Sequence, residues 1–345
     1  MNFFSLTQEL AMDLGTANTI VICNGKIVVN EPSVVAIEEK SEKLIAFGAV
    51  AKPWVEKTPP GIRTVFPLKD GVIADFKAAE MMIRAFIEKA TPPRKIFVPS
   101  LKVVVGVPSG STEVEKRAVV DSMSHAGGRE IYLIYEPMAA AIGMDIDVLA
   151  PNGNMVVNIG GGTTEIAVIS LGGIVLKESI KFAGNRLTTD IVEYMRRQHS
   201  LKTDSEIGEK IKIAVGSALE NIEDPPENFI VRSANSLTSL PMDVPISNKE
   251  TAHCLDRTIC NIESAILNAL ENTAPSLYAD IVNNGIYLSG GGALLRGLDK
   301  RLSKKFNIAF HVADDPLLAV ARGTAIVLKN LAKYINTTIL VKSYN

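Results

Sequence analysis

The sequence predicts an α/β protein built from two related halves, and three observations support this. Strand-like apolar runs alternate with segments of helical periodicity along most of the chain. The segment MDLGTANTIVICNGKIVV, from Met12, resembles the segment VNIGGGTTEIAVISLGGIVL, from Val157. Aligning Asp13 with Asn158 separates the copies by 145 residues (158 − 13), far more than the period of a solenoid repeat. A chain of 345 residues has room for two such domains.

Each copy is predicted to form three consecutive strands. An apolar strand enters a Gly/Thr turn and returns as a second apolar strand. Tight turns at Asn24-Gly25 in the first copy and at Gly172-Gly173 in the second then lead into a third strand.

The remaining pattern predicts alternating strands and helices, with β-rich insertions at 31–75 and 222–247. The predicted strands are 102–108, 131–137 and 286–292. Helices are predicted at 77–90, from Ser111 or Thr112 onward, at 138–144, 187–198, 205–221, 248–273 and 275–283, and from near Ala293. The tail after Leu331 has no clear pattern.

The composition excludes several classes of protein. Charged residues make up 21% of the chain and the net charge is −2, which argues against a surface built for nucleic acid. The three cysteines are too scattered for a disulfide framework or a zinc site. No apolar run is long enough to span a membrane, and the N-terminus lacks the features of a signal peptide. We therefore expect a cytoplasmic protein.

Three glycine-rich turns predict phosphate binding. They are Asp13 to Asn18, Asn158 to Thr164, and Ser289 to Ala293, and each follows an apolar strand. Glycines allow backbone N–H groups to converge on an anion at close range, and Thr16 and Thr163 add hydroxyl groups. One such turn alone is equally well explained as an ordinary hairpin, but three in this context favour a phosphate site.

The third turn is predicted to lead into a helix, ALLRGLDKRL, whose N-terminus would face a polar or anionic ligand. The sequence contains neither the GxxxxGK[ST] motif nor the GxGxxG motif, so neither a P-loop nor a Rossmann site is expected.

Two carboxylates adjoin the predicted strands. Asp13 ends a strand beside the first turn, where it could bind Mg²⁺ through water or merely cap the loop. Glu136 precedes Pro137 and a helix, so it could orient a water molecule. From the residues alone, a structural role at the helix N-terminus is the simpler interpretation for Glu136.

The chain resembles the bacterial actins of the MreB family over nearly its whole length. The resemblance rests on the segments MDLGTANT, NEPSVVAI, KDGVIADF, VPSGSTEVEKRAV, EPMAAAIG, NIGGGTTEIAVISLGGIV, LSGGGALLRGLD and VADDPLLAVARGTA. More distantly, the three turns resemble those of the actin/Hsp70/sugar-kinase superfamily. The resemblance implies a duplicated actin-like, ribonuclease H-like fold with ATP or ADP and Mg²⁺ in a central cleft, and assembly into filaments.

The resemblance also implies domain boundaries. Domain I would comprise a core of 1–31, 76–147 and 316–345 with a small subdomain at 32–75. Domain II would comprise a core of 148–181 and 246–315 with a small subdomain at 182–245.

The family's nucleotide-binding positions transfer to this chain by motif. They correspond to Asp13, Gly15, Thr16, Ala17, Asn18, Asn158, Gly160, Gly161, Gly162, Thr163, Thr164, Gly184, Asn185, Glu209, Lys210, Ile211, Lys212, Gly290, Gly291, Gly292, Ala293 and Leu294. Glu136 and Thr163 match the positions linked to hydrolysis. Spacing alone would instead make the Glu209–Lys212 segment an exposed charged face.

The chain departs from the family pattern at three positions. Asn158 and Asn185 stand where the family has Asp, and Tyr135 stands where an acidic residue is usual. An amide polarises water less than a carboxylate and offers no charge to Mg²⁺. We therefore expect weak ATPase activity, with nucleotide binding retained and hydrolysis slow.

A loop in the first half predicts membrane contact. In PPRKIFVPS, Ile96 and Phe97 directly follow Arg94 and Lys95, an arrangement suited to an anionic membrane surface. The same residues are explained equally well as the start of a strand whose side chains pack inward. The resemblance favours the membrane, because members of the family are membrane-associated.

The leading functional prediction is a nucleotide-gated filament protein of the cell-shape type. Its partners would be copies of itself, paralogous actin-like subunits and a membrane surface, with no nucleic acid. The alternative is a small-molecule kinase of the sugar-kinase type, which would need a base for its acceptor hydroxyl.

Overall fold

The computed structural model describes residues 7–91, 100–236, 238–335, 337 and 339–341. In chain order the strands are β1 (Thr7–Leu14), β2 (Asn18–Cys23), β3 (Lys26–Pro32), β4 (Val35–Glu38), β5 (Lys43–Phe47), β6 (Ile62–Val65), β7 (Leu68–Lys69), β8 (Val72–Ile73), β9 (Ser100–Val107), β10 (Gly128–Tyr135), β11 (Asn154–Ile159), β12 (Thr164–Ser170), β13 (Gly173–Ile180), β14 (Phe229–Ala234), β15 (Pro241–Ile246), β16 (Ile286–Ser289), β17 (Phe310–Val312) and β18 (Leu340–Val341).

The helices follow the same order along the chain. They are α1 (Gly48–Ala51), α2 (Phe76–Ala90), α3 (Glu113–His125), α4 (Glu136–Gly143), α5 (Gly184–Gln198), α6 (Ser205–Val215), α7 (Asn248–Glu271), α8 (Pro275–Asn284), α9 (Leu298–Phe306), α10 (Ala319–Lys329) and α11 (Leu331–Tyr334). The start of α3 agrees with the prediction, because Thr112 caps it and Glu115 completes a capping box.

The chain divides into two compact units. The first comprises residues 1–151, 169–177 and 317–345, and the second comprises residues 152–168 and 178–316.

The first unit is built on a six-stranded sheet in the order β18-β10-β9-β1-β2-β3. Strands β1, β9 and β10 are parallel, whereas β2 is antiparallel to β1. Alternate residues of β1, such as Leu10 and Met12, join Met82 and Phe86 of α2 in one buried core. Helices α4 and α10 pack against each other and against the same sheet.

The predicted β-rich insertion at 31–75 is confirmed. It contains a three-stranded sheet in the order β5-β4-β6 and the short pair β7-β8. A small apolar core of its own forms around Val34, Ala36, Ala46 and Ala51.

The second unit contains strands of a five-stranded sheet in the order β13-β12-β11-β16-β17. Strands β11, β16 and β17 are parallel. The predicted insertion at 222–247 forms the antiparallel hairpin β14–β15. Helices α5, α6 and α7 pack together in the same unit.

The second hairpin turns one residue earlier than predicted. Its two central residues are Leu171 (φ 49°) and Gly172 (φ 73°), which match Asn24 (φ 52°) and Gly25 (φ 73°) in the first hairpin. Gly173 already begins β13. A type I′ turn needs positive φ at both central positions, and here Leu171 adopts the first of them although glycine would do so more readily.

Two further expectations were wrong in detail. Helix α6 ends at Val215 rather than 221, because Gly216 is extended (ψ 130°). The third glycine-rich turn leads into a 3₁₀ helix, Gly291–Leu294, and α9 begins only at Leu298, after Gly297 with φ 71°. The tail after Leu331, for which no element was predicted, contains strand β18, which pairs with β10 at Leu340↔Ile134 and Val341↔Leu133.

Candidate functional site

The first glycine-rich loop joins β1 to β2 in a tight turn. A Cβ atom at Gly15 would lie 2.6 Å from the carbonyl oxygen of Asn18, so the turn requires glycine. Asp13 lies near the end of β1, and burial raises the pKa of its carboxyl to about 7. A carboxylate that the protein desolvates in this way is stabilised by a nearby cation.

Neighbouring segments hold this loop in place. The hydroxyl of Ser33 donates to the carbonyl oxygen of Gly15 at 2.6 Å, and its backbone N–H donates to that of Ala17 at 2.9 Å. The backbone N–H of Gly71 donates to Thr16 Oγ1 at 2.9 Å. Sequence reasoning missed Ser33 and Gly71, although both lie within segments that carry the family resemblance, NEPSVVAI and KDGVIADF.

The two predicted carboxylates, Asp13 and Glu136, lie at the carboxyl ends of parallel strands in the first sheet. In the parallel registers, Asp13 of β1 pairs with Gly106 of β9, which pairs with Ile134 of β10. Glu136 opens α4 directly after β10, and its Cγ lies 3.7 Å from where a Cβ on Gly106 would be. The first unit therefore places Asp13 and Glu136 on either side of β9, at the carboxyl ends of their strands.

Tyr135, one of the three departures noted from the family resemblance, interacts with two lysines. The ammonium groups of Lys177 and Lys116 lie 4.9 Å and 5.8 Å from the centre of its ring. Burial alone would lower the pKa of Lys116, but hydrogen bonding to Glu113 and the nearby Tyr135 raise it above its usual value. The aromatic ring thus attracts the lysine charges that a carboxylate would otherwise attract.

The second loop repeats the turn of the first. The backbone N–H of Gly160 donates to the carbonyl oxygen of Thr163 at 2.9 Å, and a Cβ at Gly160 would lie 3.2 Å from that oxygen. Gly160 and Thr163 are the residues that the 145-residue alignment pairs with Gly15 and Asn18 (15 + 145 and 18 + 145). Thr163 itself is buried, with 7% of its surface exposed.

The beginning of α5 lies against the second loop. The backbone N–H groups of Gly184 and Asn185 donate to the carbonyl oxygens of Gly160 and Gly161, at 3.0 Å and 2.8 Å. The predicted residues Gly184 and Asn185 are therefore in direct contact with the loop.

Helix α6 places one lysine, Lys212, against the beginning of α5. The ammonium group of Lys212 donates to the carbonyl oxygen of Gly184 at 2.8 Å and to Glu209 at 2.7 Å. Thr188, which sequence reasoning missed, donates to Glu209 at 2.6 Å. Lys210 instead pairs with Glu206 on the surface, and Ile211 is fully buried. Of the four predicted residues on α6, Glu209 and Lys212 thus contact the beginning of α5, which itself binds the loop.

The third turn adjoins the second loop through neighbouring strands. Asn158 of β11 is in register with Ser289 of β16, and the Ser289 hydroxyl donates to Asn158 Oδ1 at 3.1 Å. The turn continues through Gly290, Gly291 and Gly292 into the 3₁₀ helix. Within that helix Ala293 is buried and Leu294 is 55% exposed.

The residues present fit Mg²⁺ better than a metal held by protein ligands alone. Among the described residues, no three His, Cys, Asp or Glu side chains cluster in a way that could hold a metal ion. Mg²⁺ commonly uses one or two carboxylates together with waters and phosphate oxygens. Asp13 could supply such a carboxylate in the first unit, while the neutral Asn158 could supply only an amide oxygen.

Two predictions concern membranes. Ile96 and Phe97 lie outside the described residues. None of the helices in the described part of the chain combines the length and apolar character needed to cross a bilayer.

Sequence comparisons identify relatives that match nearly the whole chain. The family model described as MreB/Mbl protein matches residues 7–336. The chain is 39% identical over 327 residues to the cell shape-determining protein Mbl of Bacillus subtilis (strain 168), covering 94% of this chain and 97% of Mbl. It is 43% identical over 322 residues to the cell shape-determining protein MreB of Escherichia coli (strain K12), covering 92% of each.

Solved structures show the same fold. MreB5 of Spiroplasma citri bound to AMPPNP superposes with a TM-score of 0.89 and 34% identity, over 95% of this chain and 98% of that one. A subunit of the MamK double helical filament, only 20% identical, superposes with a TM-score of 0.78 over 94% of this chain and 99% of that one. The predicted actin-like fold is confirmed, and the chain belongs to the MreB/Mbl protein family.

Proposed function

We propose that this chain is a filament-forming cytoskeletal protein of the cell-shape type, which binds ATP or ADP with Mg²⁺. The two glycine-rich loops would be its phosphate-binding elements. The observation that carries the proposal is the repeated turn, in which Gly15 and Asn18 approach each other as Gly160 and Thr163 do. Such turns expose backbone N–H groups to an anion.

The relatives support nucleotide binding. Crystal structures of Spiroplasma citri MreB5, 34% identical to this chain, contain AMPPNP in one case and ADP in the other. In this chain Asp13 would bind Mg²⁺ through water, while Gly184, Asn185, Glu209 and Lys212 would support the second loop.

Hydrolysis is proposed to be slow. Glu136 would orient a water molecule from the carboxyl end of β10, and Thr163 is proposed as a second residue linked to hydrolysis. Asn158 is uncharged and accepts a hydrogen bond from Ser289, so it would polarise water only weakly. The nucleotide would then remain bound for long periods and control filament assembly, with little hydrolysis.

The proposed filament contains copies of this chain, with paralogous actin-like subunits as a second class of partner. Support for the cell-shape role comes from relatives named as cell shape-determining proteins. The protein is further proposed to be cytoplasmic and to touch the membrane through Ile96 and Phe97, because these apolar residues follow Arg94 and Lys95. The same relatives do not favour the alternative of a small-molecule kinase.

A pelleting assay tests the proposal. Protein at micromolar concentration is centrifuged with ATP, with ADP and without nucleotide, each with Mg²⁺, and the pellets are imaged by electron microscopy. Filaments whose amount depends on the nucleotide would support the proposal. Failure to bind nucleotide in equilibrium dialysis, or sugar-dependent turnover of ATP without filaments, would contradict it.

A further inference from the structure

In both glycine-rich loops, backbone carbonyl oxygens accept hydrogen bonds from another segment of the same unit. In the first loop, Ser33 Oγ donates to the carbonyl oxygen of Gly15 at 2.6 Å and Ser33 N–H donates to that of Ala17 at 2.9 Å. In the second loop, the N–H groups of Gly184 and Asn185 bind the carbonyl oxygens of Gly160 and Gly161. In each unit the donors belong to the segment that follows the third strand of the hairpin.

A buried threonine holds that segment in each unit. Thr19 and Thr164 are separated by the same 145 residues as the two loops (164 − 19), and both are fully buried. Thr19 Oγ1 lies 2.9 Å from Ser33 Oγ, and Thr164 Oγ1 donates to the carbonyl oxygen of Phe182 at 2.7 Å. Both copies therefore have a hydrogen bond between a threonine of the second strand and the segment that follows the third strand.

The direction of the hydrogen bonds in the first unit follows from the chemistry of the hydroxyl group. A carbonyl oxygen can only accept, so Ser33 must use its single hydrogen on Gly15. Thr19 must then donate to Ser33 Oγ. The result is a chain of hydrogen bonds from the buried Thr19 through the buried Ser33 to the partly buried Gly15, in which each bond polarises the next.

This chain of bonds determines which side of the loop an anion meets. A peptide group that presents N–H on one side presents C=O on the other, and a carbonyl oxygen repels a phosphate. Fixing the carbonyl groups of Gly15 and Ala17 against Ser33 keeps these oxygens away from the opposite side. A loop already in its binding conformation loses less conformational entropy when the ligand binds.

We propose that Ser33 and Thr19 are positioning residues for the first phosphate loop, and that Thr164 has the equivalent task in the second. The inference rests on the proposed nucleotide binding. It assigns a role in ligand affinity to hydroxyl groups that would act through the loop without touching the ligand. Thr164, which the family resemblance implies as a nucleotide-binding position, would accordingly act through its bond to Phe182.

Two substitutions at Thr19 provide a matched test. Thr19→Val keeps the shape of the side chain but removes its donor, whereas Thr19→Ser keeps the donor and loses a methyl group. Affinity is measured with a fluorescent ATP analogue and Mg²⁺, and the free energy of unfolding is measured in urea. We expect Thr19→Val and Ser33→Ala to weaken binding about tenfold, the effect of losing a buried hydrogen bond, and Thr19→Ser to bind like the wild type.

Ser122 supplies the control for a purely structural effect. It is also fully buried in the first unit, on α3, and its hydroxyl has no hydrogen-bond partner among the described residues. Ser122→Ala should leave affinity unchanged. Amide hydrogen exchange of residues 14–18 gives a second readout and should be faster in Thr19→Val than in Thr19→Ser.

The outcomes separate the inference from the function on which it rests. If the wild type binds ATP and both Thr19→Val and Ser33→Ala bind equally well, the inference is wrong, even if both variants are less stable. If Thr19→Val does not fold, Ser33→Ala decides by the same criterion. If the wild type binds no nucleotide, the proposed function fails and the inference fails with it.

Discussion

Ser289 donates a hydrogen bond to the side-chain oxygen of Asn158, across the neighbouring strands β16 and β11. Both residues are buried, with 0% and 3% of their surface exposed. A serine hydroxyl donates to a carboxylate as readily as to an amide, and more strongly. The site can therefore accommodate an aspartate at position 158 without losing this bond.

Asn158→Asp is expected to accelerate hydrolysis of ATP. The added charge would polarise a water molecule more strongly and help to hold Mg²⁺, so phosphate release should rise by about tenfold. The measurement is phosphate release at saturating ATP, with the affinity for ATP determined in parallel. An Asp variant that binds ATP but releases phosphate no faster than the wild type would contradict the proposed role of Asn158.

Asp13→Asn should weaken the dependence of nucleotide affinity on Mg²⁺. Without the carboxylate, added Mg²⁺ should tighten ATP binding about tenfold less than in the wild type. The check is a titration of ATP with and without Mg²⁺. Asp121→Asn is the control, because Asp121 is a half-exposed carboxylate on α3 of the same unit whose oxygen lies 3.8 Å from Arg117. An equal Mg²⁺ effect in both variants would exclude Asp13 as the Mg²⁺-binding residue.

The two lysines of α6 should differ in their effect on nucleotide binding. Lys212 binds the carbonyl oxygen of Gly184 beside the second loop, whereas Lys210 pairs with Glu206 on the surface. We expect Lys212→Met to weaken ATP binding about tenfold and Lys210→Met to change it less than about twofold. Fluorescence titration of both variants measures this. Equal losses would mean that the contact with Gly184 does not matter for the ligand.

A buried ion-pair cluster should make the second unit sensitive to acid. Glu263, with only 2% of its side chain exposed, binds Arg301 at 2.7 Å and Lys305 at 2.6 Å. Burial alone would raise the pKa of Glu263, but these two cations lower it below the ordinary value of 4.5. The stabilisation is therefore complete above pH 4.5 and is lost as the pH falls through the lower pKa of the folded state.

Glu263→Gln should reduce the free energy of unfolding at neutral pH by about 3 kcal/mol and flatten its decrease in acid. Urea unfolding followed by circular dichroism between neutral and acidic pH measures both effects. The single tryptophan, Trp54, lies in the first unit, so its fluorescence serves as an internal control. A variant with wild-type stability and wild-type acid sensitivity would exclude this role for Glu263.

The predicted membrane loop can be tested by co-sedimentation with anionic liposomes. Changing Ile96 and Phe97 to Ser should reduce the bound fraction severalfold, because burying an apolar side chain in the bilayer interface contributes roughly 1–2 kcal/mol. Leu171→Ser is the control, since Leu171 is an apolar residue with 71% exposure at a hairpin tip. Unchanged binding of the double variant would exclude the loop as a membrane contact.

Much of the fold could be predicted because its signals are local. The Asn24-Gly25 turn, the capping residue Thr112 and the periodicity of α2 each act within a few residues of sequence. The duplication was also visible, since both copies keep the order of strand, Gly/Thr turn and strand. The first and second glycine-rich loops therefore lie between strands, as the sequence predicts.

What could not be predicted depends on partners distant in sequence. Ser33 binds Gly15 from 18 residues away, and β18 pairs with β10 across about two hundred residues, so neither leaves a local pattern.

Two local backbone conformations also gave no signal in the sequence. The helix expected after the third turn begins late because Leu295 is extended, with ψ 123°. Leu171 occupies a turn position where its side chain gives no turn signal.

The two loops differ in what secures their first carbonyl group, and this difference bears on how such duplicated proteins can diverge. Gly15 is held by the hydroxyl of Ser33, which a single codon change can remove or lengthen. Gly160 is held by the main chain of Gly184, which every amino acid except proline provides. Within a set of paralogues, a substitution at position 33 can therefore remove the donor to the first loop directly, whereas only proline at position 184 would remove the donor to the second loop.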